Sequence, residues 1–243
     1  MSLASDLRIL RHLILTPIRG NTHSERLESF YRAQADGYDD FRARLLPGRQ
    51  ELYTSLPVPQ GGSWIDMGGG TGSNLECLAD RLPALAELYL VDLSPSLLDV
   101  ARRRVADHQW SNVQVCQADV TTFEPPCKQV DVVTFSYSLT MIPDWFAALE
   151  NAWRLLRPGG TIGIVDFYVS RKHAGPPLAR HGWFTRTFWP AWFAMDNVFP
   201  SADHLPYVQH RFTTERLVEG MTKVPYIPLS RMPYYRFVGR KPE

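Results

Sequence analysis

Cysteine is scarce: Cys77, Cys116 and Cys127 are the only three in 243 residues. An odd count with no CxxC spacing and no neighbouring His pair gives neither a disulfide framework nor a zinc or other metal site, and reduced thiols point to a cytoplasmic protein. An excess of one charge is also missing, since 26 Lys and Arg against 25 Asp and Glu leave a net charge of +1. Without a global positive field there is no electrostatic reason to expect nucleic acid as a partner. No run approaches the ~18 uninterrupted apolar residues of a membrane-spanning helix. Repeats, low-complexity tracts and charge blocks are absent as well. What is present is 44% hydrophobic and 21% charged residues, a globular composition that excludes a disordered chain or a coiled coil and suits one large domain or two small ones.

Residues 1–60 are read as N-terminal helices that form a lid and a candidate membrane-surface contact, and residues 61–243 as the core. Leu3, Leu7, Leu10 and Ile14 share one helical face, with Arg8, Arg11, His12 and Arg19 among or after them. The apolar run is too short and too interrupted for a signal peptide, and no small-residue cleavage site follows. Such a helix packs on the domain, lies on a membrane surface or joins two copies, and the pattern leaves all three open.

From Ser63 to Val169 short β-rich runs alternate with amphipathic stretches, which predicts an α/β fold with a mostly parallel sheet and helices on both faces. The strand runs are 63–67, 88–93, 113–119, 130–138 and 161–169. Helices are expected over Asn74–Leu82, over Pro95–His108 behind Ser94 as N-cap, and over Asp144–Leu156 before the Arg157–Gly160 stop. A segment at about 171–212 is rich in aromatics, and Pro190 is expected to interrupt any helix there. A short helix over Thr214–Thr222 and two runs, Val224–Leu229 and Tyr234–Arg240, are expected to close the chain, the runs as an antiparallel hairpin.

Asp66, Met67, Gly68, Gly69, Gly70, Thr71 and Gly72 follow a strand and precede a helix. In that context glycines let backbone N–H groups approach a ligand closely. Asp92 ends the next strand twenty positions after Gly72, where a carboxylate can accept from both hydroxyls of a ribose. A dinucleotide would place its pyrophosphate on this loop, and Asp66 at the loop mouth opposes that charge but suits a ligand with an ammonium group. GxGxG at 68, 70 and 72 also departs from the GxGxxG of nicotinamide enzymes. Ala118 and Asp119 end the third strand, where they can receive the amine of an adenine.

The order DMGGGTG, LVDLS, QADV, VDVVTFSYS and LLRPGGTIGIVDF resembles the class I S-adenosylmethionine-dependent methyltransferases over about residues 30–240. That resemblance implies a Rossmann-like seven-stranded sheet with its last strand antiparallel. It implies S-adenosyl-L-methionine as cofactor, with Asp66, Gly68 and Gly70 beside the methionine part, Asp92 and Leu93 at the ribose, Asp119 and Val120 at the adenine, and Ser136 and Tyr137 lining the reaction cleft. Tyr38, in FYRAQADGYDDF, resembles the lid-helix tyrosine of many such enzymes. The fourth strand lacks the (N/D)PP(Y/F) motif of enzymes that methylate base amines.

A narrower likeness covers FYRAQADGYDDFRARLLPGR, YLVDLSPSLLDVARRR, VTFSYSLTMIPDW, IGIVDFYVS and WFTRTFWPAWFAMDNV, which together resemble the BtaB-type betaine-lipid N-methyltransferases. It implies three methyl transfers to the amine of diacylglyceryl-homoserine by an enzyme peripheral on the inner face of a membrane. His181, Tyr168 and Tyr137 are then candidates for the catalytic machinery, beside His173. Trp183, Phe184, Tyr168 and Tyr137 are candidates for a cage around a quaternary ammonium, with ordinary core or a membrane-facing rim as the plainer reading. Arg186 is a candidate partner for the homoserine carboxylate, with a solvated surface role as its alternative. A soluble small-molecule acceptor with O- or C-methylation, or a non-catalytic cofactor-binding subunit, shares every one of the cofactor residues.

Overall fold

The structure, a computed structural model, describes residues 22, 25, 28, 29, 46–194, 197–224 and 231–243. Seven strands form one sheet: β1 Ser63–Met67, β2 Glu87–Asp92, β3 Val113–Gln117, β4 Val130–Ser136, β5 Leu156–Phe167, β6 Thr213–Lys223 and β7 Arg231–Arg240. Their order is β3-β2-β1-β4-β5-β7-β6. The first five pair in parallel, whereas β7 is antiparallel to both β5 and β6. The expected Rossmann-like α/β architecture is thus the observed one. Every residue of β1 is buried, Ser63 and Asp66 included, because a central parallel strand is covered on both faces.

Two hydrophobic clusters flank the sheet, one including Trp64, Leu90, Val132 and Trp189 and the other Ile65, Val91, Phe135 and Tyr235. Helix α1, Arg49–Ser55, buries Leu52 and Tyr53 in the first. Helix α2, Pro95–Asp107, starts where Ser94 Oγ accepts from Leu97 N at 3.4 Å and Pro95 needs no hydrogen-bond partner. Helix α3, Trp145–Leu155, is capped by Asp144, which accepts from Ala147 N at 3.0 Å, and runs straight into β5.

Four sequence expectations are corrected. The stretch Asn74–Leu82 forms no α-helix: 3-10 turns occupy Ser73–Leu78 and Leu82–Ala84, with Asn74 turned inward and Pro83 unable to supply an amide. The expected helix at Thr214–Thr222 is the edge strand β6, since pairing along β7 overrides local propensity. The closing hairpin is therefore β6 with β7, and the expected first arm lies almost wholly outside the described residues. Helix α4, Trp183–Phe193, continues through Pro190, because burial of Trp189 and Phe193 offsets the missing hydrogen bond. The expected lid of residues 1–60 lies largely outside the described residues.

Helix α5, His204–Arg211, begins with a fully buried histidine packed edge-on against Trp145, ring centroids 4.7 Å apart. Neither of its ring nitrogens has a hydrogen-bond partner among the described residues. Burial lowers its pKa from 6.5 to about 3. The unfolded chain therefore binds more protons than the fold between those values, and stability falls as pH drops below 6.5. At pH 5 the loss is about 2 kcal/mol. His204→Phe is expected to abolish that pH-dependent loss, as read by urea unfolding at pH 5 and pH 8.

Candidate active site at the carboxyl ends of the strands

The site grows from the ends of β1 to β4. Asp66 in β1 is fully buried, and its carboxylate accepts from Tyr53 Oη at 2.6 Å, Thr134 Oγ1 at 2.7 Å and Asn74 Nδ2 at 3.5 Å. Burial raises its pKa, and these three hydrogen bonds oppose the rise. Above it the chain turns through Gly68, Gly70 and Gly72, at φ of 72°, 57° and 73°. A Cβ on Gly68 would stand 2.5 Å from the Cβ of Ser138, so glycine is required there on both conformational and steric grounds. The loop is pinned to β2 because Gly68 N and Gly69 N both donate to Val91 O, at 2.8 and 3.1 Å.

At the end of β2, Asp92 accepts from Gly70 N and Ser94 N, each at 2.9 Å. Burial raises its pKa while those amides lower it. Beyond β3, Asp119 accepts from Thr121 N at 2.8 Å and Thr121 Oγ1 at 2.7 Å, and the carbonyl of Val120 is held by Asn151 Nδ2 at 2.8 Å. Tyr137 follows β4 at a positive φ of 53° and donates from its hydroxyl to Pro47 O at 2.7 Å.

These ends enclose a cleft of about 270 Å³. Gly68, Gly70, Asp92, Leu93, Asp119, Val120, Ser136 and Tyr137 all line it. Asp66 lies beneath the loop and acts on the cleft by shaping it, and Tyr38 lies outside the described residues. Sequence reasoning missed Arg49, Asn74, Leu97 and the stretch Met141–Asp144, which also line it. The signal for them was indirect: Arg49 ends one family-like segment and Met141–Asp144 belongs to another. Asp166, at the end of β5, was missed too. It is fully buried and accepts from Thr140 Oγ1 at 2.8 Å and Thr140 N at 3.2 Å, which fixes the turn that presents Met141. Burial raises its pKa to about 7.

The remaining candidates stand apart from the cleft. Tyr168 and His181 meet edge-on, ring centroids 5.0 Å apart, beside a separate cavity of about 120 Å³ that Tyr168 and His173 line. The Tyr168 hydroxyl donates to Glu219, and burial together with that carboxylate raises its pKa. His181 Nδ1 accepts from Ser170 N at 2.9 Å, and burial lowers its pKa. Trp183 and Phe184 are 73% and 62% exposed on α4, so the structure does not bring the proposed cage together. Arg186, on the same helix, keeps a buried Nε that has no partner among the described residues.

Residues 65–160 match the family model described as a methyltransferase domain. That stretch holds the glycine loop and the carboxyl ends of β1 to β4 that build the cleft. The chain is similar to the ubiquinone/menaquinone biosynthesis C-methyltransferase UbiE of Ectopseudomonas mendocina, 29% identical over 65% of this chain and 62% of that relative. The match thus spans less than two thirds of the relative's length. Among solved structures it is similar to phosphoethanolamine N-methyltransferase 2 of Haemonchus contortus in complex with phosphomonomethylethanolamine and S-adenosylhomocysteine, TM-score 0.67 and 16% identity over 89% of this chain and 60% of that one. It is also similar to the N-methyltransferase NodS of Bradyrhizobium japonicum with S-adenosylhomocysteine, TM-score 0.63 and 16% identity over 88% and 99% of the two chains.

The walls of this cleft fit S-adenosyl-L-methionine. Asn74 Oδ1 and Ser136 Oγ, both on its lining, are buried without a partner among the described residues, as polar atoms set to meet a ligand. Asp92 offers ribose hydroxyls a desolvated carboxylate, and Arg49 gives the lining a guanidinium suited to a carboxylate ligand. Asp92→Ala is expected to weaken S-adenosylhomocysteine binding by about 10- to 100-fold, since it removes hydrogen bonds to a charged acceptor. Isothermal titration calorimetry measures the loss, with circular dichroism confirming an intact fold.

Proposed function

We propose that this methyltransferase acts on the amine of a diacyl lipid, converting diacylglyceryl-homoserine to its trimethylated betaine form at the inner face of a membrane. The observation that carries this reading is the fate of WFTRTFWPAWFAMDNV, the segment most particular to the betaine-lipid N-methyltransferase likeness. Most of it folds as α4, whose inner side couples to the cleft: Phe193 packs on Phe167 at 5.5 Å, and Phe167 on Tyr137 at 4.7 Å. The element that would set acceptor choice thus bears on a wall of the methyl-transfer site.

Bound S-adenosylmethionine supplies a methyl group on a sulfonium. The chain's own residues position the acceptor and exclude water, which matter more for such a displacement than a strong base does. The Tyr137 hydroxyl is committed to Pro47 O, and burial pushes its pKa up. Tyr168 and His181 are engaged beside the smaller cavity. In this reading the amine loses its proton to solvent before it enters, and the cleft holds it neutral.

A second reading, C-methylation of a quinone precursor, is favoured by the UbiE relative. Mass spectrometry of products from the full chain, S-adenosylmethionine and diacylglyceryl-homoserine in mixed micelles separates the two. Gains of one, two and three methyl groups are expected. Unchanged lipid, with methylation of a demethylated quinol offered in parallel, would overturn the lipid-amine reading.

A further inference from the structure

Helix α4 has two aromatic sides, one fully buried and the other buried only in part. Trp189 and Phe193 are buried, 2% and 6% exposed, under the sheet-facing side. On the other side Phe184, Phe188 and Trp192 recur every four residues and stack in a ladder, with centroids 5.0 Å apart at 12° and 5.7 Å apart at 27°; Phe188 and Trp192 rest partly buried against the core, and Phe184 extends the ladder into the open, 62% exposed. Trp183 stands beside it at the helix start, 73% exposed. Isolated exposed apolar residues need no explanation, but two adjacent exposed aromatics that extend a core-anchored ladder do.

The charges around this ladder decide what covers it. From Arg171 to Ala194 the sequence contains no Asp or Glu. Arg171 pairs with Asp203 at 2.7 Å. Lys172, Arg180 and Arg186 have no carboxylate within ion-pair distance among the described residues, and Lys172 and Arg180 are exposed. A surface that is both apolar and anionic satisfies the ladder and the cations together.

We propose that the exposed first turn of α4, with Trp183 and Phe184 as the inserted side chains and Lys172 and Arg180 as the headgroup contacts, docks the enzyme on an anionic lipid bilayer. Aromatic rings sit at the boundary between headgroups and acyl chains, and each cation near an anionic surface adds to the attraction. The inner side of the same helix reaches Tyr137 through Phe193 and Phe167, so docking sets the cleft against the membrane that carries the acceptor. The inference rests on the lipid-acceptor reading for its purpose and on α4 for its evidence.

The test is co-sedimentation of the full chain with vesicles of phosphatidylcholine, with and without phosphatidylglycerol. Wild type is expected to bind the anionic vesicles and to lose binding as salt rises. A W183S/F184S variant is expected to partition at least about tenfold more weakly, with its far-ultraviolet circular dichroism and S-adenosylhomocysteine affinity unchanged, whereas W183F binds as wild type does. Equal binding by W183S/F184S, absent binding by wild type, or a wild-type dimer that the double variant dissolves would each overturn the proposal. Vesicle binding through α4 without methylation of diacylglyceryl-homoserine would leave docking standing and sink the lipid-amine reading, so the two fail separately.

Discussion

Beneath the glycine loop lies a carboxylate with no access to water, and the architecture of the cleft depends on keeping it satisfied. Asp66, one residue before the end of β1, is held by Tyr53 from α1, Thr134 from β4 and Asn74 from the turn after the loop. Thr134 in turn accepts from Trp64 Nε1 at 2.9 Å. Three separate pieces of chain converge on the β1 carboxylate, because burying it without those donors would cost several kcal/mol. The loop above has room only for glycine at position 68, and its amides at 68 and 69 are tied to β2. The cleft is consequently built in advance of any ligand.

The carboxyl ends of consecutive strands then divide the work. β2 and β3 present Asp92 and Asp119, each already engaged with neighbouring N–H groups, so their oxygens are aimed before a ligand arrives. β4 contributes Ser136 and a Tyr137 locked by its own hydroxyl, and β5 contributes Asp166, which fixes the Leu139–Met141 turn. The other flank of the cleft is organised differently, through aromatic packing that runs from Phe193 of α4 through Phe167 to Tyr137. The same helix leaves Trp183 and Phe184 exposed at its start.

The parallel half of the fold and most of the cofactor cleft were legible because periodicity and motif agreed there. Buried strands read as apolar runs, Ser94-Pro95 marked a helix start, and three strand ends carried carboxylates. Asp66 showed the limit of that reasoning: its place at the loop mouth suggested ligand contact, whereas the side chain points under the loop to three donors. The edge strand β6 was read as a helix because its pairing with β7 is a tertiary fact that no local pattern records. Arg49 and Met141–Asp144 were missed for a related reason, since they reach the cleft from segments whose own sequence carries no ligand signature. Tyr168 and His181 do lie together, but around Glu219 and Ser170, a grouping that depends on the path of the chain after β5.

The central claim is that the preformed cleft is an S-adenosylmethionine site with its ribose at Asp92 and its adenine beside Asp119 and Val120. A crystal structure of the full chain with S-adenosylhomocysteine tests it most directly. The account predicts ligand density in the cleft between the glycine loop and Met141–Asp144, both ribose hydroxyls within hydrogen-bond distance of the Asp92 carboxylate, and new partners for Asn74 Oδ1 and Ser136 Oγ. Ligand bound elsewhere, or bound here with Asp92 still turned only to Gly70 and Ser94, would contradict it.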